Sequence, residues 1–293
     1  YVPGTLQYTE ADGSVVEFEI GVRTRGRFRR QVENCDFAPL RINFRKSETR
    51  GTLFDRQDKL KLVTHCEDSS PRYQQSVVSE YLAYRIFNLL SDVSFRTRLL
   101  EVTYIDTDRK NREKTNYAIF IEHADRLAKR VDLPRLKTNR LTVGRLDPEY
   151  AGLVNLFQYF VGNTDFSQIA AAPGEDCCHN HELLGYEDDP VFAVPYDFDM
   201  TGFVNAPHAQ PSRQLDLRSV RQRLYRGRCV HNPHLPAATK KFSEQRSAIY
   251  ALINSQEHLK TRTRRSRLSF VDKFYEDIGS EKNVADKLYD DCL

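Results

Sequence analysis

Residues 190–202, "PVFAVPYDFDMTG", carry two carboxylates, Asp197 and Asp199, at the end of an otherwise apolar run. The run reads as a buried strand. Side chains on a strand alternate faces, so the two carboxylates are expected to point the same way. Like charges side by side repel, and burial strips their hydration. Three arrangements reconcile this: a shared cation, a shared proton as an acid–base pair, or an early end to the strand that leaves both groups in water.

The chain has 293 residues, room for one large domain or two modest lobes. A net charge of +3 gives no driving force for wholesale nucleic-acid binding. No apolar run approaches about 18 residues, so no membrane span is expected. The sequence opens at Tyr1 with neither an initiator Met nor a signal peptide, as a trimmed or mature product would. The six cysteines form no CxxC, and the adjacent ligands of "CCHNH" (177–181) would surround a zinc ion poorly. Disulfides in a secreted, periplasmic or otherwise extracytoplasmic protein are the expected use of an even count.

Residues 15–29 alternate as a strand and then break at a glycine flanked by arginines; strands at 37–46 and 59–65 are predicted next, then a polar turn at 66–73 and a helix at 74–91. The helix carries Val77, Val78, Tyr81, Leu82, Ile86, Phe87, Leu89 and Leu90 at a 3.6-residue period. Strands at 95–106 and 116–122 follow, then a charged connector and a second helix at 147–162. After a loop at 163–182 come the DFD strand and a largely helical, basic last third. This order predicts an α+β protein of two lobes. Residues 1–122 would form a β-rich N-lobe with one helix, and 123–293 an α-rich C-lobe, together one kinase-like domain. Clefts between such lobes favour ligands.

A two-lobed phosphotransferase works by positioning and charge neutralisation, and each part it needs has a candidate in the right chain order. The phosphate loop would be Arg23–Arg30 around Gly26, although a lone glycine equally suits a hairpin turn. The phosphate-binding cation would be Lys61 or Lys59, which share a face of "KLKL", with Arg41 a rival on the preceding strand. Glu80, the only acid in the body of the first helix, would hold that cation. In "FVGNTDFSQ" an apolar helix ends at Gly162 and releases Asn163, Thr164 and Asp165. A carboxylate just past a buried helix end is both held and accessible, as a base requires; the same residues also suit a helix cap and turn.

The "GNTD" and "VPYDFD" motifs resemble those of the spore-coat CotH-type kinases and, more remotely, the HipA-type kinases, both atypical protein kinases. "RGR" before a strand, "KLKL" before a helix bearing Ser79 and Glu80, and "NYAIFIEHADR" are similar too. The resemblance spans about residues 20–205. It implies ATP and Mg²⁺ or Mn²⁺ as cofactors, Asp165 as the catalytic residue and Asp197 as a metal ligand, with Asp199 a second or alternative ligand. Asn180 matches the metal-binding Asn. The family places that Asn a few residues after the Asp, whereas here "QIAAAPGEDCC" intervenes; Gln168 or His179 could substitute. The phosphate loop is also poorer in Gly and Ser than the family's.

If 37–46 and 59–65 pair as antiparallel neighbours, their register brings Cys35 beside Cys66, predicting one disulfide. Cys177 and Cys178 are then expected to pair with Cys229 and Cys292 in some order. The function expected first is an ATP- and metal-dependent kinase with a nucleotide and a protein (or other hydroxyl-bearing) substrate as partners. Nucleotidyl transfer or acyl-phosphate ligation would use the same phosphate-binding parts. The alternatives are a non-catalytic kinase-like binding module and a metal-dependent hydrolase using Asp165, Asp197 and His179 or His181. The basic stretch at 258–267 is expected to be a solvated helix face or an anchor for an acidic protein, not a nucleic-acid site.

Overall fold

In a computed structural model, residues 1–68, 70–212 and 214–293 are described; Ser69, in the expected polar turn, lies outside them. The fold is of mixed α and β type. The chain separates into two compact units. One comprises Tyr1–Val77 and Thr97–His123, the other Val78–Arg96 and Ala124–Leu293, so residues 78–96, expected with the first lobe, group with the second unit.

The first unit is built on an antiparallel sheet of strands β1 (Val2–Thr9), β2 (Val15–Thr24), β3 (Leu40–Phe44), β4 (Lys59–Val63), β5 (Thr97–Asp106) and β6 (Arg112–Ile121). Their spatial order is β1-β2-β3-β4-β6-β5. Period-2 alternation turns Phe18, Ile20, Ile42, Phe44, Leu60 and Leu62 to one face, where Phe54 from the β3–β4 connection covers them. The rings of Phe44 and Phe54 stack at 4.7 Å. Each such fully buried side chain contributes roughly 1.5–3 kcal/mol. β1 was not expected: Pro3 and Gly4 interrupt its apolar pattern, and only pairing with β2 makes it a strand. β2 stops at Thr24, just before the arginine-flanked Gly26, where the alternation was expected to break and where a φ of +85° is open to glycine.

Cys35 and Cys66 are bonded, as the register of β3 and β4 predicts. The pairing extends past the strands, with the Phe37 N–H donating to the Cys66 carbonyl at 2.8 Å. The other expected pairing is corrected: Cys177 bonds Cys178, and Cys229 bonds Cys292. The C-terminus lies along residues 227–229, with Leu293 N–H on the Gly227 carbonyl (2.8 Å) and Cys229 N–H on the Leu293 carbonyl (3.1 Å). That alignment sets Cys229 beside Cys292 and leaves Cys177 and Cys178 to each other.

Helix α1 (Pro71–Leu90) is buried on nearly every side from Gln75 to Tyr84. In the second unit, α2 (Ala124–Arg130) is a short helix inside the charged connector, where only Leu127 and Ala128 are buried and no apolar stripe announced it. Helix α3 (Pro148–Val161) starts on an Asp147 cap that accepts from Tyr150 N–H and is buried from Tyr150 onward. It packs against α4 (Leu235–Glu244); Phe160, Phe242 and Phe274 of α6 (Thr261–Asp277) meet at 4.8–5.3 Å between centroids. Between α4 and α6 lies α5 (Arg246–Ser255). The basic stretch at the start of α6 is not wholly solvated. Arg267 is buried and donates to Ser79 Oγ (3.0 Å) and the Val204 carbonyl (2.6 Å). No helix among the described residues is long and apolar enough to cross a membrane.

Candidate functional site

Helix α3 ends at Gly162 with φ +64°, a conformation natural to glycine. A Cβ there would also meet Phe270 at 3.0 Å and Gly202 at 3.5 Å. The reversal releases Asn163, buried, whose Oδ1 accepts from Asp165 N–H (2.8 Å) and whose Nδ2 donates to Gln158 Oε1 (2.9 Å). The backbone of Asp165 is thus fixed while its carboxylate remains about half exposed.

The intervening segment "QIAAAPGEDCC" does not carry Asn180 away from Asp165. It loops out and returns, with Ser167 N–H on the His179 carbonyl (3.1 Å) and His179 N–H on the Ala170 carbonyl (2.9 Å). Cys177 and Cys178 anchor the return in a cluster with Leu141, Leu183 and Val191. Asn180 Nδ2 consequently donates to the Asp165 carbonyl (2.8 Å) and reaches Oδ2 at 3.3 Å. His179 Nε2 lies 2.8 Å from Asp165 Oδ1, and that bond holds the imidazole above its usual range, with the charges of Asp165 and Asp197 adding to it.

Strands β7 (His181–Leu184) and β8 (Phe192–Pro195) form an antiparallel hairpin with His181 opposite Pro195. β7 was missed in the sequence because four residues beginning with His-Glu show no alternation; the hairpin and the Leu136 N–H on the Leu183 carbonyl (2.9 Å) make it a strand. Asn180 immediately precedes β7 and Asp197 follows β8. Tyr196 N–H donates to the Asn180 carbonyl at 3.0 Å, so both residues stand at one end of the hairpin.

The strand itself ends at Pro195, which corrects the expectation that Asp197 and Asp199 share a strand face. Asp197 has φ +66°, a left-handed conformation that strains a non-glycine residue. It is held by Tyr84, whose hydroxyl accepts the Asp197 N–H at 2.9 Å, and by fully buried Phe198, 4.7 Å from the Tyr84 ring and 5.4 Å from Phe157. The turn divides the two acids. Asp197 shares the environment of His179, whereas Asp199 is buried and bonded to His208 Nε2 (3.1 Å).

Among the described residues no three His, Cys, Asp or Glu side chains form a cluster able to hold a metal. The oxygens that could contribute are hard donors, the Asp197 carboxylate and Asn180 Oδ1. Asn180 turns Oδ1 away from Asp165 by spending Nδ2 on it, and two such oxygens with phosphate and water suit Mg²⁺. Gln168 is buried, and His181 is buried too, with Nδ1 on the His179 carbonyl (3.0 Å) and Nε2 3.4 Å from Gln158 Nε2. Burial pushes His181 down to about 4, so it supports the loop as a neutral ring.

In the first unit, Arg23, Arg41 and Lys61 are successive cross-strand partners on β2, β3 and β4, on the face opposite the phenylalanine core. Lys59 is opposite Asn43 and lies 3.7 Å from Asp58. Gly26 is exposed in the turn after β2. Glu80 is buried on α1. No protein-family model matches the chain, and no curated protein matches it.

Proposed function

We propose that the protein is an ATP-dependent phosphotransferase of two-lobed, kinase-like architecture, acting on a hydroxyl of a protein substrate outside the cytoplasm. The observation that carries this reading is the hairpin: Asn180 before β7 and Asp197 after β8 stand together, with Asp165 bonded to Asn180. That grouping is what metal-assisted phosphoryl transfer asks of a base, an amide and a strand-end carboxylate. The three cysteine pairs are compatible with the extracytoplasmic setting.

In this reading Asp165 orients the acceptor hydroxyl and takes its proton at Oδ2, while His179 fixes Oδ1. Asp197 and Asn180 hold Mg²⁺ or Mn²⁺, which supplies neutralisation of the phosphate oxygens. The left-handed backbone at Asp197, tied to Tyr84 and Phe198, keeps that carboxylate in place before any ligand arrives. Within the first unit, Lys61, Arg41 and Arg23 stand in one row of cations suited to phosphate oxygens, and Lys59 lies at the row's flank. Asp199, bonded to His208, orients the end of the motif.

A nucleotide-binding module without transfer is the second reading. It is favoured by the lone Gly26 in an arginine-rich turn, where a phosphate loop ordinarily has several glycines. A thermal-shift titration with ATP and Mg²⁺ or Mn²⁺ tests both. A ligand that binds only the native state raises the melting temperature by mass action. No shift with any divalent ion overturns both readings.

A further inference from the structure

Between Asp216 and Glu244 the chain has no acidic residue but carries Arg218, Arg221, Arg223, Arg226 and Arg228. These arginines have different fates. Arg223 is consumed internally, donating to the Tyr159 (3.0 Å), Phe160 (3.1 Å) and Phe270 (2.6 Å) carbonyls. Arg226 is placed beside the candidate base. Its Nη1 donates to the Thr164 carbonyl and its guanidinium lies 5.7 Å from the Phe166 ring, so it grips the residues on either side of Asp165.

Arg228 is two residues further along an extended backbone and half-buried. Segment 227–229 is pinned by its hydrogen bonds to Leu293 and by the Cys229–Cys292 bridge. Both guanidiniums are therefore carried on a fixed strip. Burial and the neighbouring Arg228 charge lower the Arg226 pKa, and Asp165 is the acid whose charge opposes that. Among the described residues, neither arginine forms an ion pair with a carboxylate.

We propose that Arg226 and Arg228 form an anion subsite beside Asp165, which selects acceptor peptides bearing an acidic or phosphorylated side chain next to the accepting hydroxyl. The guanidinium fork suits carboxylate and phosphate oxygens alike, and the Arg226 guanidinium, held by the Thr164 carbonyl and the Phe166 ring, loses little freedom on binding them. The inference rests on the phosphotransfer reading for the word acceptor, but the binding it claims needs no nucleotide.

The test is fluorescence anisotropy on the full, disulfide-bonded protein without ATP. Serine peptides flanked by Asp/Glu, by phosphoserine, by Gln or by Lys are compared, with a heparin oligosaccharide and a single-stranded oligonucleotide as further arms. The Asp/Glu or phosphoserine peptide should bind at least tenfold more tightly than the Gln peptide, and the pair shows which anion is preferred. Arg228→Glu should abolish that preference, and Arg228→Gln should weaken it several-fold if the charge reversal disturbs folding. Equal binding of the acidic and Gln peptides, no effect of either variant, or tighter binding of heparin or oligonucleotide than of both anionic peptides overturns the subsite. Arg228-dependent peptide binding in a protein that ATP and divalent ions never stabilise upholds the subsite and overturns phosphotransfer instead.

Discussion

Each unit of the molecule contains a histidine bonded to an aspartate at nearly the same distance, and the two pairs behave in opposite ways. His65 Nε2 lies 2.9 Å from Asp68 and His179 Nε2 lies 2.8 Å from Asp165. The His65 side chain is 0% exposed, stacked on Phe37 at 4.8 Å and within 3.2 Å of Asn116 Nδ2. The His179 side chain is 42% exposed. Burial, with the charges of Arg29 and Lys114, pushes His65 down to about 4 even beside a carboxylate. Asp68 already pairs with Lys114, so its charge is spent. Among the described residues Asp165 pairs with no lysine, and its bond holds His179 up. Identical partners make a structural joint where they are dry, and a candidate site where charge is kept within reach of water.

The largest expected effect follows from the second pair. Asp165→Asn should lower phosphoryl transfer by a factor on the order of 10²–10⁴, the scale of a lost acid–base group, with the melting temperature little changed. Radiolabel transfer from ATP to an acidic peptide on folded protein measures it. Equal transfer by wild type and variant would remove Asp165 from the chemistry and make the two pairs alike.

The pieces of this comparison differ in how plainly the sequence shows them. Strands β2, β3, β4, β5 and β6 and helices α1 and α3 follow from period-2 and 3.6 patterns, because each buries one face or all of itself. Asp165 and Asp197 stand out because polar groups interrupt apolar runs. The approach of Asn180 to Asp165 was not legible, since it depends on how the 168–178 loop returns and on a short β7 defined only by its partner. Nor was the separation of Asp199 from Asp197, which comes from one left-handed residue. Glu80 is flanked by apolar Val77, Tyr81 and Tyr84, which points to the buried stripe of α1, but the burial of Gln75, Ser76 and Ser79 on the same helix was not legible.

A medium-sized effect tests the dry pair through pH. The folded value of His65 lies near 4, below the ordinary 6.5, so between those values the unfolded chain binds more protons. The associated stability is present above about pH 6.5 and is lost as pH falls toward 4, on the order of 3 kcal/mol. His181, also held near 4, adds a loss of the same sign. Denaturant midpoints at pH 7 and pH 4.5 measure the total, and His65→Gln should remove the His65 share. A stability that stays flat over this range contradicts the assignment of His65 as a neutral, buried ring.

The smallest effect belongs to the wet pair and has the opposite sign. His179 is raised in the folded state, so its contribution is full below about pH 6.5 and disappears as pH rises through the folded value. Half-exposed ion pairs are screened, so His179→Ala should change stability by less than about 1 kcal/mol. A loss of several kcal/mol would show that His179, like His65, is a joint of the fold.

The central claim, that the hairpin end is a metal–nucleotide site with Asp165 set apart for the acceptor, is tested most directly by calorimetry of ATP with Mg²⁺ or Mn²⁺. Wild type and Asp165→Asn should bind with similar affinity, and Asp197→Ala, folded to the same melting temperature, should lose at least tenfold. Undiminished binding by Asp197→Ala, or its loss in Asp165→Asn alone, would contradict the account.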